Sequence, residues 1–202
     1  MERRQSESGK ESEACEASAA KREENGENNG QRPSGGGERT ASATPARHAQ
    51  ALGAAESGDC ETLRKLLRRE PHLAHVVDDD GYTPLHRASY GNHCEVIKLL
   101  LDYGVNVNAT TNDGWRPLHC AARWGHTGAA SLLLDNGADV NAVTNGGITA
   151  LHLAAGGGNK RLLELLLYHP DIETETKNAS GDTAYDIAYR SSPLYKLFQN
   201  LV

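Results

Sequence analysis

The sequence predicts an all-α solenoid: helix pairs stacked on one another, joined by short β-hairpin loops and preceded by a disordered tail. Three observations carry that reading. Gly81, Gly114 and Gly147 stand 33 residues apart, as do Leu85, Leu118 and Leu151, and likewise His86, His119 and His152. Self-similarity at such a period marks a repeat array. The stretch Asp113–Thr144, DGWRPLHCAARWGHTGAASLLLDNGADVNAVT, reads as a turn, two short helices and an extended loop. Composition agrees: with 38% apolar and 5% aromatic residues in 202, a thin stacked core suits the chain better than one large core.

Taken in order, residues 1–47 are rich in Glu, Ser, Gly, Asn, Arg and Ala and show no apolar periodicity. Acidic and basic residues interleave there, so the expectation is a disordered, near-neutral tail. Residues 48–77 form an opening cap repeat that lacks the T-P-L-H turn; Leu63, Leu66 and Leu67 give its second helix an apolar face. Its basic residues Arg64, Lys65, Arg68 and Arg69 suit an outer face that meets water. Full repeats follow at residues 78–110, 111–143 and 144–177, and a closing cap repeat at 178–202. In the first, Pro84 sits where a missing N–H is harmless, Val96–Leu101 supply the second helix, and Gly104 suits a left-handed stop. In the third, Ala150 replaces that proline, and Gly156-Gly157-Gly158 predicts a short or frayed first helix. In the closing unit Asp186 replaces the motif histidine, and Tyr195–Phe198 suggests a last short helix.

Charge and cysteine usage exclude several classes. The formal net charge of −6 leaves no basic footprint, so no direct nucleic-acid contact is expected. No apolar run approaches the roughly 18–20 residues of a membrane span, and the N-terminus lacks a signal-peptide core. Cys15, Cys60, Cys94 and Cys120 are scattered, which reads as buried thiols in a reducing location, nuclear or cytoplasmic. The sequon-like Asn108-Ala109-Thr110 and Asn178-Ala179-Ser180 are then coincidental.

His86, His119 and His152 recur once per repeat, whereas metal ligands must converge on one point. They read as structural groups bonding loop backbone between repeats. No catalytic set, cofactor loop or metal site is expected, and the chain reads as a non-enzyme and a monomer. Candidate binding residues are those that vary between repeats. Asp79, Asp80, Asn112 and Asp113 stand at the tips before the motif glycines. Tyr82, Trp115 and Ile148 follow those glycines, and Tyr90, Arg123 and Trp124 lie late in the first helices. Trp, Tyr and Arg are hot-spot types, and the acidic tips suit a partner with basic or amide donors. The other role open to the rings is to fold down and complete the stack.

TPLHRAS, RPLHCAA and TALHLAA, with GVNVNA and GADVNA closing two repeats, resemble the ankyrin-repeat family over about three-quarters of the chain. The resemblance implies a concave face, lined by hairpin tips and the exposed side of the first helices, that binds a protein partner. More narrowly, DGWRPLHCAARW with AASLLLDNGADVNAVT, and GDTAYDIAYRSS with YKLF, are similar to the small ankyrin proteins of the fetal-globin-inducing-factor type. That likeness implies a regulator in nucleus or cytoplasm, linked to transcription. Ala150, the triple glycine and the tail depart from it. Some ankyrin proteins are also substrates of asparaginyl hydroxylases, and Asn108 and Asn141 occupy the matching loop position; a substrate-adaptor role is the further alternative.

Overall fold

In the computed structural model, which describes residues 43–199, the chain is a two-row stack of helices. The first helices of the units are α1 (Ala43–Ser57), α3 (Pro84–Tyr90), α5 (Pro117–Arg123), α7 (Ala150–Gly157) and α9 (Ala184–Ser191). The second helices are α2 (Cys60–Arg69), α4 (Cys94–Asp102), α6 (Thr127–Asp135) and α8 (Lys160–Leu167). A 3-10 turn at Pro71–His75 follows α2; another at Pro193–Tyr195 leads into α10 (Lys196–Gln199). Each first helix packs on the first helix of the next unit, and α2, α4, α6 and α8 pack in the same succession. One leucine column runs through the core: Leu85, Leu118 and Leu151 are fully buried, beside Leu67, Leu100, Leu133 and Leu166 from the second helices. Fully burying each such side chain contributes about 1.5–3 kcal/mol. Neighbouring units supply part of each burial, so no unit is expected to be stable alone.

The expected start near residue 48 moves: α1 begins at Ala43. Pro45 falls in its first turn, where proline's missing N–H has no intrahelical partner to lose, and Arg47 makes an ion pair with Glu70 at the end of α2. The tail expected over the preceding residues, 1–42, lies outside the described residues, as does Cys15.

The expected fraying of α7 is also corrected. This helix runs for 8 residues against 7 in α3 and α5. Ala150, Leu151, His152, Ala154 and Ala155 are buried between α5 and α9, and that packing outweighs the poor propensity of two glycines. Gly158 then stops the helix in the left-handed region, at φ 67°.

The hairpin loops carry no strand among the described residues. Each is a tight turn closed by two backbone bonds, as in Thr111 N–H to the Trp115 carbonyl at 2.9 Å and Gly114 N–H to the Thr111 carbonyl at 3.0 Å. Sideways, each tip bonds the next: Asn112 N–H donates to Asp80 O, Asn145 N–H to Asp113 O, and Ala179 N–H to Gly146 O, at 2.9–3.0 Å. Single bonds at tip spacing do not make a ladder. Gly114 shows why the tip needs glycine, since a Cβ there would stand 2.7 Å from Asn145 Oδ1, at a backbone φ of 77°.

One charged group lies inside this stack. Arg87 is buried; its Nη2 bonds Asp78 Oδ2 at 2.5 Å, its Nη1 lies 3.8 Å from Glu56 Oε1, and its guanidinium sits 4.8 Å over the Tyr82 ring. The matching positions in later repeats are Cys120, Leu153 and Ile187, so nothing in the period announces the charge. The Glu56 contact ties the opening cap to the first full repeat, while Asp78 belongs to the same repeat as Arg87. Removing the guanidinium leaves Asp78 uncompensated, and Arg87→Ala is expected to destabilise the fold by about 3 kcal/mol. Urea unfolding measures this; a loss below about 1 kcal/mol contradicts the assignment.

Candidate protein-binding face

The motif histidines are part of the scaffold on which the face is built. His86 Nε2 donates to the Trp115 carbonyl at 3.1 Å, and His152 Nε2 to the Asp182 carbonyl at 3.1 Å. His119 Nε2 lies between two acceptors, Ala142 O at 3.0 Å and Ile148 O at 3.1 Å. In each ring Nδ1 accepts from the backbone N–H three residues earlier: Thr83 at 3.2 Å, Arg116 at 3.0 Å, Thr149 at 3.2 Å. Both ends therefore require the same tautomer, with the proton on Nε2. Asp186 keeps only the local half of this device, accepting from Thr183 N–H at 2.9 Å. No further helix pair follows it among the described residues.

A second ladder escaped the sequence reading. His93 Nε2 donates to Glu56 O at 2.8 Å, His126 Nε2 to Tyr90 O at 3.0 Å, and Asn159 Nδ2 to Gly125 O at 2.7 Å. These residues open the second helices and reach back to the end of the previous unit's first helix. The signal was present, because the three positions are also 33 apart. Asn108 and Asn141 form a third set along the loops. Asn108 Nδ2 donates to Gly137 O at 3.0 Å and its Oδ1 accepts from Asp139 N–H at 2.9 Å. Asn141 does the same with Asp171 O at 2.6 Å and Glu173 N–H at 2.9 Å.

Of the predicted binding residues, Tyr82 and Trp115 are corrected. Tyr82 is 9% exposed and Trp115 3%. Each ring meets its own repeat's histidine edge-on, Tyr82 with His86 at 5.6 Å and Trp115 with His119 at 6.0 Å. They fold down to cover the imidazole and complete the stack, which is the other role the sequence left open. Ile148, in the matching place, is half-buried. What remains on the surface falls into two groups. Asp79, Asp80, Asn112 and Asp113 are exposed at the tips, although the Asn112 amide is engaged with Asp79 O at 2.9 Å. Tyr90, Arg123 and Trp124 form a ring cluster at the helix ends. Trp124 is 40% exposed, with Tyr90 edge-on at 5.2 Å and the Arg123 guanidinium 5.6 Å from its ring. Among the described residues no group of three or more His, Cys, Asp or Glu is arranged to hold a metal.

Burial drives the His86 and His119 rings down from 6.5 to about 4, because a charged imidazole would lose water and its Nδ1 acceptor. His152 and His126 are lowered for the same first reason. A lowered folded-state value means the unfolded chain binds the extra protons first. The stability is therefore full above pH 6.5 and is lost as pH falls toward 4, on the order of 3 kcal/mol for each of the two most buried rings. Urea midpoints should fall between pH 7 and pH 5, and His119→Asn should be weaker at pH 7 yet less sensitive to pH. Equal slopes for the variant and the parent chain contradict the assignment.

Comparison with known proteins agrees with this architecture. A family model described as "Ankyrin repeats (3 copies)" matches residues 52–144, and a second, "Ankyrin repeats (many copies)", matches 133–188. The chain is 54% identical over 149 residues to Ankyrin repeat domain-containing protein 49 of Bos taurus, covering 73% of this chain and 63% of that protein. The Homo sapiens protein of the same name is 54% identical over 149 residues, with 62% of its length covered. A Drosophila melanogaster protein of that name is 46% identical over 44 residues, 22% of this chain and 20% of its own. The chain thus spans a little under two-thirds of the mammalian relatives it matches. Period, cross-repeat bonding and both family models lead to one conclusion: the chain belongs to the ankyrin-repeat family.

Proposed function

We propose that this protein is a non-enzymatic adaptor that binds a protein partner across the side formed by its hairpin tips and first-helix ends. The observation that carries the reading is the Tyr90–Trp124–Arg123 cluster. The stack buries Trp115 and has no such use for Trp124, whose ring remains 40% exposed. Large aromatic surface next to a guanidinium is the composition of an interface hot spot. The tips add exposed carboxylates at Asp79, Asp80 and Asp113, which steer a basic partner.

An intracellular, nuclear or cytoplasmic location belongs to the same proposal, supported by Cys60, Cys94 and Cys120 standing as free thiols. A part in regulating transcription rests on the likeness of the second repeat and closing unit to the fetal-globin-inducing-factor type. Asparaginyl hydroxylation gains no separate support from the geometry, since the Asn108 and Asn141 amides are engaged at both ends by neighbouring loops.

The two tryptophans separate binding from stability. Trp124→Ala is expected to change the unfolding free energy by less than about 1 kcal/mol, while removing partners recovered by affinity capture and mass spectrometry. Trp115→Ala should instead destabilise by about 3–5 kcal/mol. Recovery of the same partners at the same yield by Trp124→Ala rules the proposal out.

A further inference from the structure

The ring cluster has an unusual neighbour in the stack. By the 33-residue register, the places of Tyr90 and Gly91 are taken by Arg123 and Trp124 in the next repeat, and by Gly156 and Gly157 in the one after. The register is physical: Asn159 bonds the Gly125 carbonyl and Ser191 Oγ bonds the Ala155 carbonyl at 3.3 Å, which holds α7 between α5 and α9. Gly156 and Gly157 are both exposed and lie inside α7. A Cβ on Gly157 would meet nothing within 4 Å, and one on Gly156 only Ile187 Cγ2 at 3.5 Å, an ordinary contact. Neither residue has a positive φ. Neither space nor backbone conformation therefore asks for glycine here, and helix propensity argues against it. What the two residues do provide is bare backbone beside an exposed indole, where a second chain can approach closely.

Charge indicates what that chain carries. Asp79, Asp80 and Asp113 are exposed, and none has a cation against it among the described residues. The matching tip residues further along, Asn145, Gly146, Ala179 and Ser180, are uncharged. Among the described residues the exposed tip carboxylates without an ion pair are thus confined to the first two tips, and the bare backbone lies beyond Trp124 in the third repeat.

Resting on the docking reading above, we propose that the occupant is an extended segment of another protein. Its Lys or Arg side chains face Asp79, Asp80 and Asp113, an apolar side chain packs on Trp124, and its backbone lies across Gly156 and Gly157. The segment gains attraction from three unpaired carboxylates and close contact from a surface without side chains.

Selecting a random dodecapeptide library on the 202-residue chain, then measuring the enriched peptides by fluorescence polarisation, tests this. The expected result is a clear excess of Lys and Arg among enriched peptides, with affinity falling as salt rises. Gly157→Leu should bind them at least about tenfold more weakly while melting at the same temperature or higher, since leucine is the better helix former. Asp79→Asn, Asp80→Asn and Asp113→Asn together should weaken binding and flatten its salt dependence. Enrichment of neutral or acidic peptides, or unchanged binding by Gly157→Leu, overturns the inference. If Trp124→Ala abolishes binding while the glycine and aspartate variants keep it, the docking face stands and only the assigned occupant falls. If no enriched peptide depends on Trp124, the docking reading falls as well.

Discussion

Each full repeat in this chain leaves two things unfinished: an apolar face with no cover and a histidine N–H with no acceptor. The next repeat supplies both. Leu118 goes into the same interface that the His86–Trp115 bond closes, and Leu151 into the one closed by His119. The hydrogen bond is buried, so its absence would leave a carbonyl unsatisfied as well as a ring displaced. Coupling of packing to a directional bond is what sets the register of the stack. Other features of the chain accommodate that requirement.

The ends show it most clearly. In the opening unit α2 turns its Arg68 and Arg69 to water. Between this cap and the first repeat the interface uses a buried charge, Arg87 held by Asp78 of its own repeat and reaching Glu56 of the cap, where later interfaces use Cys120, Leu153 and Ile187. A charge pair is directional in a way that leucine is not, and it occurs where the repeat pattern is most degenerate. In the closing unit Asp186 preserves the helix cap but drops the cross-repeat donor. The substitution follows from what the residue bonds to, and the aromatic group Tyr185, Tyr189, Tyr195 and Phe198 packs α9 against the turn and short helix that follow it.

Legibility of the candidate face was uneven. The tip carboxylates and Tyr90, Arg123 and Trp124 were placed on the surface by repeat position; the carboxylates and Trp124 are exposed, while Tyr90 and Arg123 are half-buried. Tyr82 and Trp115 were assigned the same face on the same logic and are covered. Position within a repeat states where Cβ points, but a large ring can rotate onto an adjacent imidazole and remove its own area from water. Period analysis gives no rotamers. The ladder of His93, His126 and Asn159 was missed for another reason: its third member changes residue type while keeping the donor. Chemistry is conserved along that row of the molecule although the letter is not.

The sequence by itself determined the period, the class of fold and the structural duty of the motif histidines. Those follow from spacing, because a 33-residue repeat with leucine and histidine at constant offsets has few ways to bury both. Tertiary structure decided the rest. It extended α7 through two glycines, because burial of five residues of that helix outweighs their propensity. It buried Trp115 and left Trp124 in the open, although both are tryptophans in one repeat, because only one of them has a neighbouring imidazole to cover. The difference between a ring that completes the stack and one left exposed is set by what stands beside it in space, and the spacing along the chain does not contain it.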